Sequence, residues 1–219
     1  MRSHGNWVSR SFAWPCALAQ DDKVIAIIDY GAGNLASVVK ALQHLGAECI
    51  VTAQPDDVVR AKKLIIPGVG NFKATQPLAN SELGSAVRSA IEDRKPLLGI
   101  CLGLQWMFEG SEEAPELKGL GTFCGNCSRF PDSVKSPHVG WNRIDVEPRS
   151  RLLRGIASGS YLYFTHSYRA PVCSYTVATC TYEHPFTAAA ERDNVFGVQF
   201  HPEKSGGVGL RILENFCGL

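Results

Sequence analysis

The sequence predicts an α/β fold: a single-domain, mostly parallel central sheet with helices on both faces and antiparallel extension strands. Three observations carry this. Short continuous apolar runs such as Val24-Ile25-Ala26-Ile27-Ile28 read as strands buried on both faces. Segments of helical period separate the first of these runs. Beyond about Gly121 the texture changes to strand-like runs in close succession, which suits antiparallel pairing.

In chain order, Gly31 and Gly33 turn the chain after the first strand. Leu35, Val38, Val39, Leu42 and Leu45 then repeat at helical spacing, and Gly46 stops them. Cys49 to Thr52 is a second strand, and Leu64-Ile65-Ile66 a third, cut by Pro67. Leu83, Ala86, Val87, Ala90 and Ile91 mark the next helix, and Leu97-Leu98-Gly99-Ile100 a fourth strand. Such alternation argues for a parallel order. Ile144 to Val146, Tyr161 to Tyr168, Tyr175 to Thr181 and Val195 to Phe200 read as later strands, and Leu210 to Phe216 as a closing helix. Period two places Tyr161, Tyr163 and Thr165 on one face and Leu162, Phe164 and His166 on the other.

Composition narrows the function. Of 219 residues, 45% are hydrophobic and 20% charged, as in ordinary globular proteins. The formal charge is +1, so nothing favours a polyanionic partner such as nucleic acid or an anionic membrane. No apolar run approaches the roughly 18–20 residues of a membrane span. Eight cysteines are present, and Cys124 and Cys127 alone have ligand-like spacing. A structural zinc needs a second close pair, which is missing. The thiols therefore read as those of a reducing, cytoplasmic protein, with no metal and no cofactor expected. Residues 1–22 show neither period. They read as an unmatched extension, disordered or arising from a start placed too early, ahead of one domain spanning 23–219; Pro15 breaks the only stretch resembling a signal peptide.

Four constellations could carry chemistry. Gly99-Ile100-Cys101-Leu102-Gly103 follows a buried strand and precedes an apolar stretch, Leu104 with Trp106, Met107 and Phe108, read as a helix. This is a G-x-C-x-G form of the nucleophile elbow, in which a sharp turn lifts the side chain clear of the sheet. His201-Pro202-Glu203 ends another strand; the imidazole could act as base and acid, and the carboxylate could orient it. Pro67-Gly68-Val69-Gly70 also follows a strand, and its N–H groups, with that of Leu102, could hold an oxyanion. Gly31-Ala32-Gly33-Asn34-Leu35-Ala36 fits a dinucleotide fingerprint, but the acid expected about 20 residues on is missing. Each has a bland alternative as a glycine turn or a structural histidine.

Taken together, the elbow, His-Pro-Glu and Pro-Gly-Val-Gly resemble the class I glutamine amidotransferase domain. Asp29-Tyr30-Gly31-Ala32-Gly33-Asn34, Gly99 to Gln105, Pro137-His138-Val139-Gly140-Trp141-Asn142 and Gln199-Phe200-His201-Pro202-Glu203-Lys204-Ser205 narrow the resemblance to the glutaminase subunits of imidazole glycerol phosphate synthases. The resemblance implies Cys101 as nucleophile, His201 as acid/base, Glu203 as orienter, Gln105 as a substrate contact and Gly68 to Gly70 as the oxyanion element. It also implies a heterodimer with a (β/α)₈ cyclase subunit, met through Asn34, Trp141, Tyr163 and Lys204. A barrel of roughly 250 residues cannot fit in this length, so the cyclase is expected on another chain. The alternatives are a glutaminase serving another synthase, a related cysteine hydrolase, or a binding module that has kept the fold.

Overall fold

The computed structural model describes residues 24–219. The extension at residues 1–22, with Cys16, lies outside the described residues. The elements are β1 (Ile25–Ile28), α1 (Leu35–His44), β2 (Cys49–Thr52), α2 (Pro55–Arg60), β3 (Lys63–Gly68), α3 (Gln76–Ala79), α4 (Glu82–Glu92), β4 (Leu97–Cys101) and α5 (Leu102–Trp106). Then follow β5 (Gly110–Ser111), β6 (Asn126–Arg129), β7 (His138–Val146), β8 (Tyr161–His166), β9 (Tyr168–Arg169), β10 (Thr176–Tyr182), β11 (His184–Arg192), β12 (Val195–Val198) and α6 (Gly206–Cys217).

Nine strands form one sheet in the order β2-β1-β3-β4-β12-β11-β10-β7-β8. The first five are mutually parallel, and every later neighbour pair is antiparallel. The expected mixed sheet is therefore present, with β12 as the seam between its halves. A small second sheet, β5-β6-β9, lies outside it.

The continuous apolar runs are explained by cores on both faces. Ile25, Ile27, Ile65, Leu98 and Ile100 point into one cluster with Val38, Leu42, Leu213 and Phe216 from α1 and α6. Their alternating neighbours Ala26, Ile28, Leu64, Ile66 and Leu97 point into the other, with Val58, Val87 and Trp106. A strand between two cores has no polar face to show.

Several elements differ from the sequence reading. The stretch Tyr161 to Tyr168 is two strands. His166 Nδ1 bonds the Tyr168 carbonyl at 2.8 Å, Phe130 N–H donates to the Ser167 carbonyl, and the chain crosses to the small sheet. Strand β7 begins at His138 rather than Ile144, because β8 pairs with it as far as His138; exposed Val139 and Trp141 on its outer face mask the apolar-polar alternation. Strand β11 had no sequence signal: Pro185 and three consecutive alanines favour no strand, but pairing on both sides imposes one. The helix after Cys101 ends at Trp106, short of the apolar run through Phe108. Among the described residues, no helix is long and apolar enough to cross a membrane.

Two glycine substitutions should move stability in opposite directions. A Cβ on Gly103 would strike the Ile66 carbonyl of β3, so Gly103→Ala should destabilise the fold by roughly 1–3 kcal/mol in urea titrations. Gly207 in α6 has open space around it, so Gly207→Ala should stabilise by about 0.5 kcal/mol.

Candidate active site

Strand β4 lies between β3 and β12, so three strand ends meet at one sheet edge. In register, Gly68 of β3 is opposite Cys101, and Val198 of β12 is opposite Ile100. Neighbouring strands are about 4.8 Å apart, so a loop leaving β3 and a side chain just past β12 both reach Cys101.

Cys101 has φ 54° and ψ −103°, a backbone that non-glycine residues rarely adopt. The elbow glycines are there for space: a Cβ on Gly99 would meet the Gly103 backbone, and one on Gly103 would meet β3. Five-residue α5 gives only a short dipole behind the sulfur, a weaker aid than the longer helix expected. The sulfur has defined neighbours. Gln199 Nε2 donates to Cys101 Sγ at 3.6 Å, and the thiol reaches the Thr165 carbonyl at 3.9 Å.

His201 follows β12, and Glu203 lies in the 3-10 turn Pro202–Lys204. His201 Nδ1 and Glu203 Oε1 are 2.8 Å apart, and both side chains are only 2% exposed. His201 N–H donates to the Tyr163 carbonyl, and Ser205 Oγ donates to the His201 carbonyl, fixing the turn against β8. His201 Nε2 is buried with no hydrogen-bond partner. Burial lowers the imidazole pKa, but the influence of Cys101 and Glu203 outweighs it and pushes the pKa up to about 9. A nucleophile, a proton carrier and an orienting carboxylate are thus together.

The reactive edge opens into a cavity of about 180 Å³, lined by Gly70, Cys101, Leu102, Gln105, Glu113, His166 and neighbouring residues. Of the expected oxyanion and substrate group, Gly70, Leu102 and Gln105 reach this cavity. Gly68 lies beside Cys101 in the sheet, and Val69 is 38% exposed and turns outward. Gly70 has φ +101°, so the loop bends where an L side chain would be strained. Gln105 spends both amide hydrogens internally, on the Tyr168 carbonyl at 2.8 Å and Gln199 Oε1 at 3.2 Å, which leaves its oxygen for a ligand.

Sequence reasoning did not single out Glu113, Gln199 or Tyr30. Glu113 Oε2 accepts from Phe72 N–H at 2.7 Å, and burial raises its pKa. Tyr30 has a buried hydroxyl with no partner, and burial, then the Cys101 charge, push its pKa up. A Cβ on Gly68 would run into that hydroxyl. Glu113 carries no signal in the sequence, whereas Gln199 and Tyr30 stand next to the strand-end motifs Phe200 to Ser205 and Gly31 to Asn34.

Of the expected docking residues, Trp141, Tyr163 and Lys204 lie together. Trp141 is 55% exposed and pairs in register with Tyr163, ring centroids 6.2 Å apart. Lys204 Nζ lies 5.9 Å from the Tyr163 ring centre. Asn34 directly precedes α1 without a side-chain capping hydrogen bond, and Gly33 beside it is tight against the Pro67 carbonyl. Cys124 is exposed whereas Cys127 is buried with its sulfur on the Gln105 carbonyl, so the close pair does not converge. Among the described residues, no group of three or more His, Cys, Asp and Glu side chains could hold a metal ion.

The family model described as glutamine amidotransferase class-I matches residues 26–218. The chain belongs to this family. The amidotransferase is 49% identical over 199 residues to the "Imidazole glycerol phosphate synthase subunit HisH" of Thermococcus kodakarensis, covering 88% of this chain and 98% of that protein. It is 45% identical over 198 residues to the Methanocaldococcus jannaschii protein of the same name, covering 90% and 100%. Solved structures share the fold at lower identity. One titled "Crystal structure of glutamine amidotransferase" has a TM-score of 0.70 at 19% identity, covering 89% of this chain and 99% of that one. PurLQS from Thermotoga maritima has a TM-score of 0.68 at 18%, covering 90% and 99%. As a member of this family the protein is an enzyme that hydrolyses glutamine.

Cys101 and, after it, Glu203 hold the proton on the buried His201, which gives a signed pH dependence. The imidazole pKa is raised from 6.5 to about 9, so its stabilisation is complete below about 6.5 and lost as pH rises through 9. The stability difference between wild type and Glu203→Gln, measured by urea unfolding, should be largest below pH 6.5 and shrink toward pH 9.

Proposed function

We infer that this chain is the glutaminase subunit of an imidazole glycerol phosphate synthase. The observation that carries this is near full-length similarity to synthase subunits of that name, at 42–49% identity. The glutaminase domain spans residues 23–219 and works in the cytoplasm.

The side-chain amide of glutamine enters the cavity, and the Cys101 sulfur attacks its carbonyl carbon. The oxygen takes the negative charge and is held by N–H groups of the Gly68-Val69-Gly70 loop and Leu102. His201, a protonated imidazole at neutral pH, gives its proton to the departing nitrogen, and the C–N bond breaks to release ammonia. A γ-glutamyl thioester remains on Cys101. The now neutral His201 takes a proton from water, the hydroxide adds to the thioester, and glutamate leaves as the sulfur regains its charge. Glu203 holds the imidazole in one orientation throughout. The Gln105 oxygen meets the substrate ammonium.

Ammonia loses its nucleophilicity once protonated in bulk water, so direct delivery is required. The recipient is a (β/α)₈ cyclase subunit, which uses ammonia to form imidazole glycerol phosphate and aminoimidazole carboxamide ribonucleotide in histidine biosynthesis. It docks on Asn34, Trp141, Tyr163 and Lys204. The exposure of Val139, Trp141 and Tyr161 on the last two strands of the sheet, β7 and β8, supports that surface.

Cys101→Ala in the assembled synthase should abolish glutamine-dependent synthesis and leave ammonia-driven synthesis intact. Product formation with each nitrogen source measures this. Equal loss with both sources would contradict the assignment of Cys101 as nucleophile.

A further inference from the structure

Behind the reactive edge lies a buried set of polar side chains that the mechanism above does not use. His138 of β7 and His166 of β8 are opposite one another in register, both nearly fully buried. They sit in an aromatic box: His138 stacks on Tyr182 at 4.2 Å and Phe164 at 5.1 Å, and Phe130 and Phe186 face both rings. His138 Nδ1 and His166 Nε2 are 3.2 Å apart, Asn142 Nδ2 is 3.3 Å from His138 Nε2, and His166 Nδ1 is 2.8 Å from the Tyr168 carbonyl.

The hydrogens in this set are determined from both ends. The Tyr168 carbonyl can only accept, so His166 Nδ1 carries a hydrogen and, in a neutral ring, Nε2 is bare. His138 Nδ1 must then donate to it, leaving His138 Nε2 bare. At the far end, Asn142 Nδ2 also donates to the Thr181 carbonyl at 3.2 Å, which fixes the amide orientation and turns an N–H toward His138 Nε2. Both ends demand the same tautomer. Burial pushes the pKa of His138 down to about 4; that of His166 goes down to about 3, through burial first and the nearby imidazoles second, against the Tyr168 bond. Both rings are neutral at physiological pH.

The chain continues to the nucleophile. Tyr168 O also accepts from Gln105, whose second hydrogen goes to Gln199 Oε1, and this orients Gln199 Nε2 toward Cys101 Sγ. His138, His166, Gln105 and Gln199 cannot turn round without leaving a buried donor or acceptor unpaired.

We propose that Asn142, His138 and His166 are positioning residues that act through the Tyr168 carbonyl, Gln105 and Gln199 to hold the Cys101 sulfur and the adjoining cavity wall in reactive geometry. This rests on the glutaminase reading and adds to it His166 at the cavity wall, with His138 and Asn142 behind it.

The test uses the full-length chain for ring ¹⁵N spectra and for the rate of Cys101 alkylation by iodoacetamide, and the assembled synthase for glutaminase kinetics. In wild type both rings should be neutral with the hydrogen on Nδ1. His138→Phe keeps the aromatic packing and removes the donor; it should slow alkylation and kcat by about 10-fold, with a smaller change in KM. His138→Asn returns a donor near the Nδ1 position and should restore most of both rates. Asn142→Leu, at a half-buried site, should erode the single tautomer of His138 and slow alkylation to a lesser degree. Ammonia-driven synthesis should stay at the wild-type rate in all three. Wild-type alkylation in His138→Phe, no recovery in His138→Asn, or hydrogen on Nε2 in the native rings would overturn the proposal. If Cys101→Ala abolishes glutaminase activity while His138→Phe behaves as wild type, only this proposal fails. If Cys101→Ala keeps glutaminase activity, the glutaminase reading fails first.

Discussion

Everything at the site depends on β4 pairing in parallel with β3 on one side and β12 on the other. Parallel pairing brings three C-terminal strand ends to one edge. The nucleophile takes the middle strand, the glycine loop leaves one neighbour, and the histidine follows the other. A parallel sheet buried between two cores makes this edge rigid, because Ile65, Ile66, Leu97, Leu98 and Ile100 are locked on both faces. The strain at Cys101 can persist because Gly99 and Gly103 let the turn pack down onto β3.

Charge completes what geometry begins. His201 and Glu203 are buried together, so their attraction acts with little solvent screening. Burial alone would keep the imidazole neutral; the Cys101 sulfur and Glu203 reverse that. A protonated imidazole beside the sulfur suits a reaction whose first departing group is an amine needing a proton. The neutral His138–His166 pair behind the same edge shows the opposite outcome: buried imidazoles with hydrogen-bond partners but no carboxylate stay uncharged.

The parallel half of the fold was legible because doubly buried strands cannot hide their composition, as in Val24 to Ile28. The elbow and the His-Pro-Glu turn were legible because their chemistry needs particular residues at fixed spacing. Strand β11 was not, since its conformation comes from pairing with β10 and β12 and not from Pro185 or its alanines. Glu113 and Gln199 were not for a similar reason. Their roles come from neighbours 41 residues away at Phe72 and 98 residues away at Cys101, and spacing along the chain has no way to record such contacts. Val69 lies within the predicted loop but points outward, because sequence fixes a loop's location better than its inward residues.

This edge makes one sulfur chemically unlike the rest. Treating the full-length protein with a glutamine-like diazo ketone and mapping the modified peptides tests it most directly. Cys101 should be modified well ahead of the other seven cysteines, and free glutamine should slow it. Uniform modification across the cysteines, or modification of Cys101 unaffected by glutamine, would contradict it.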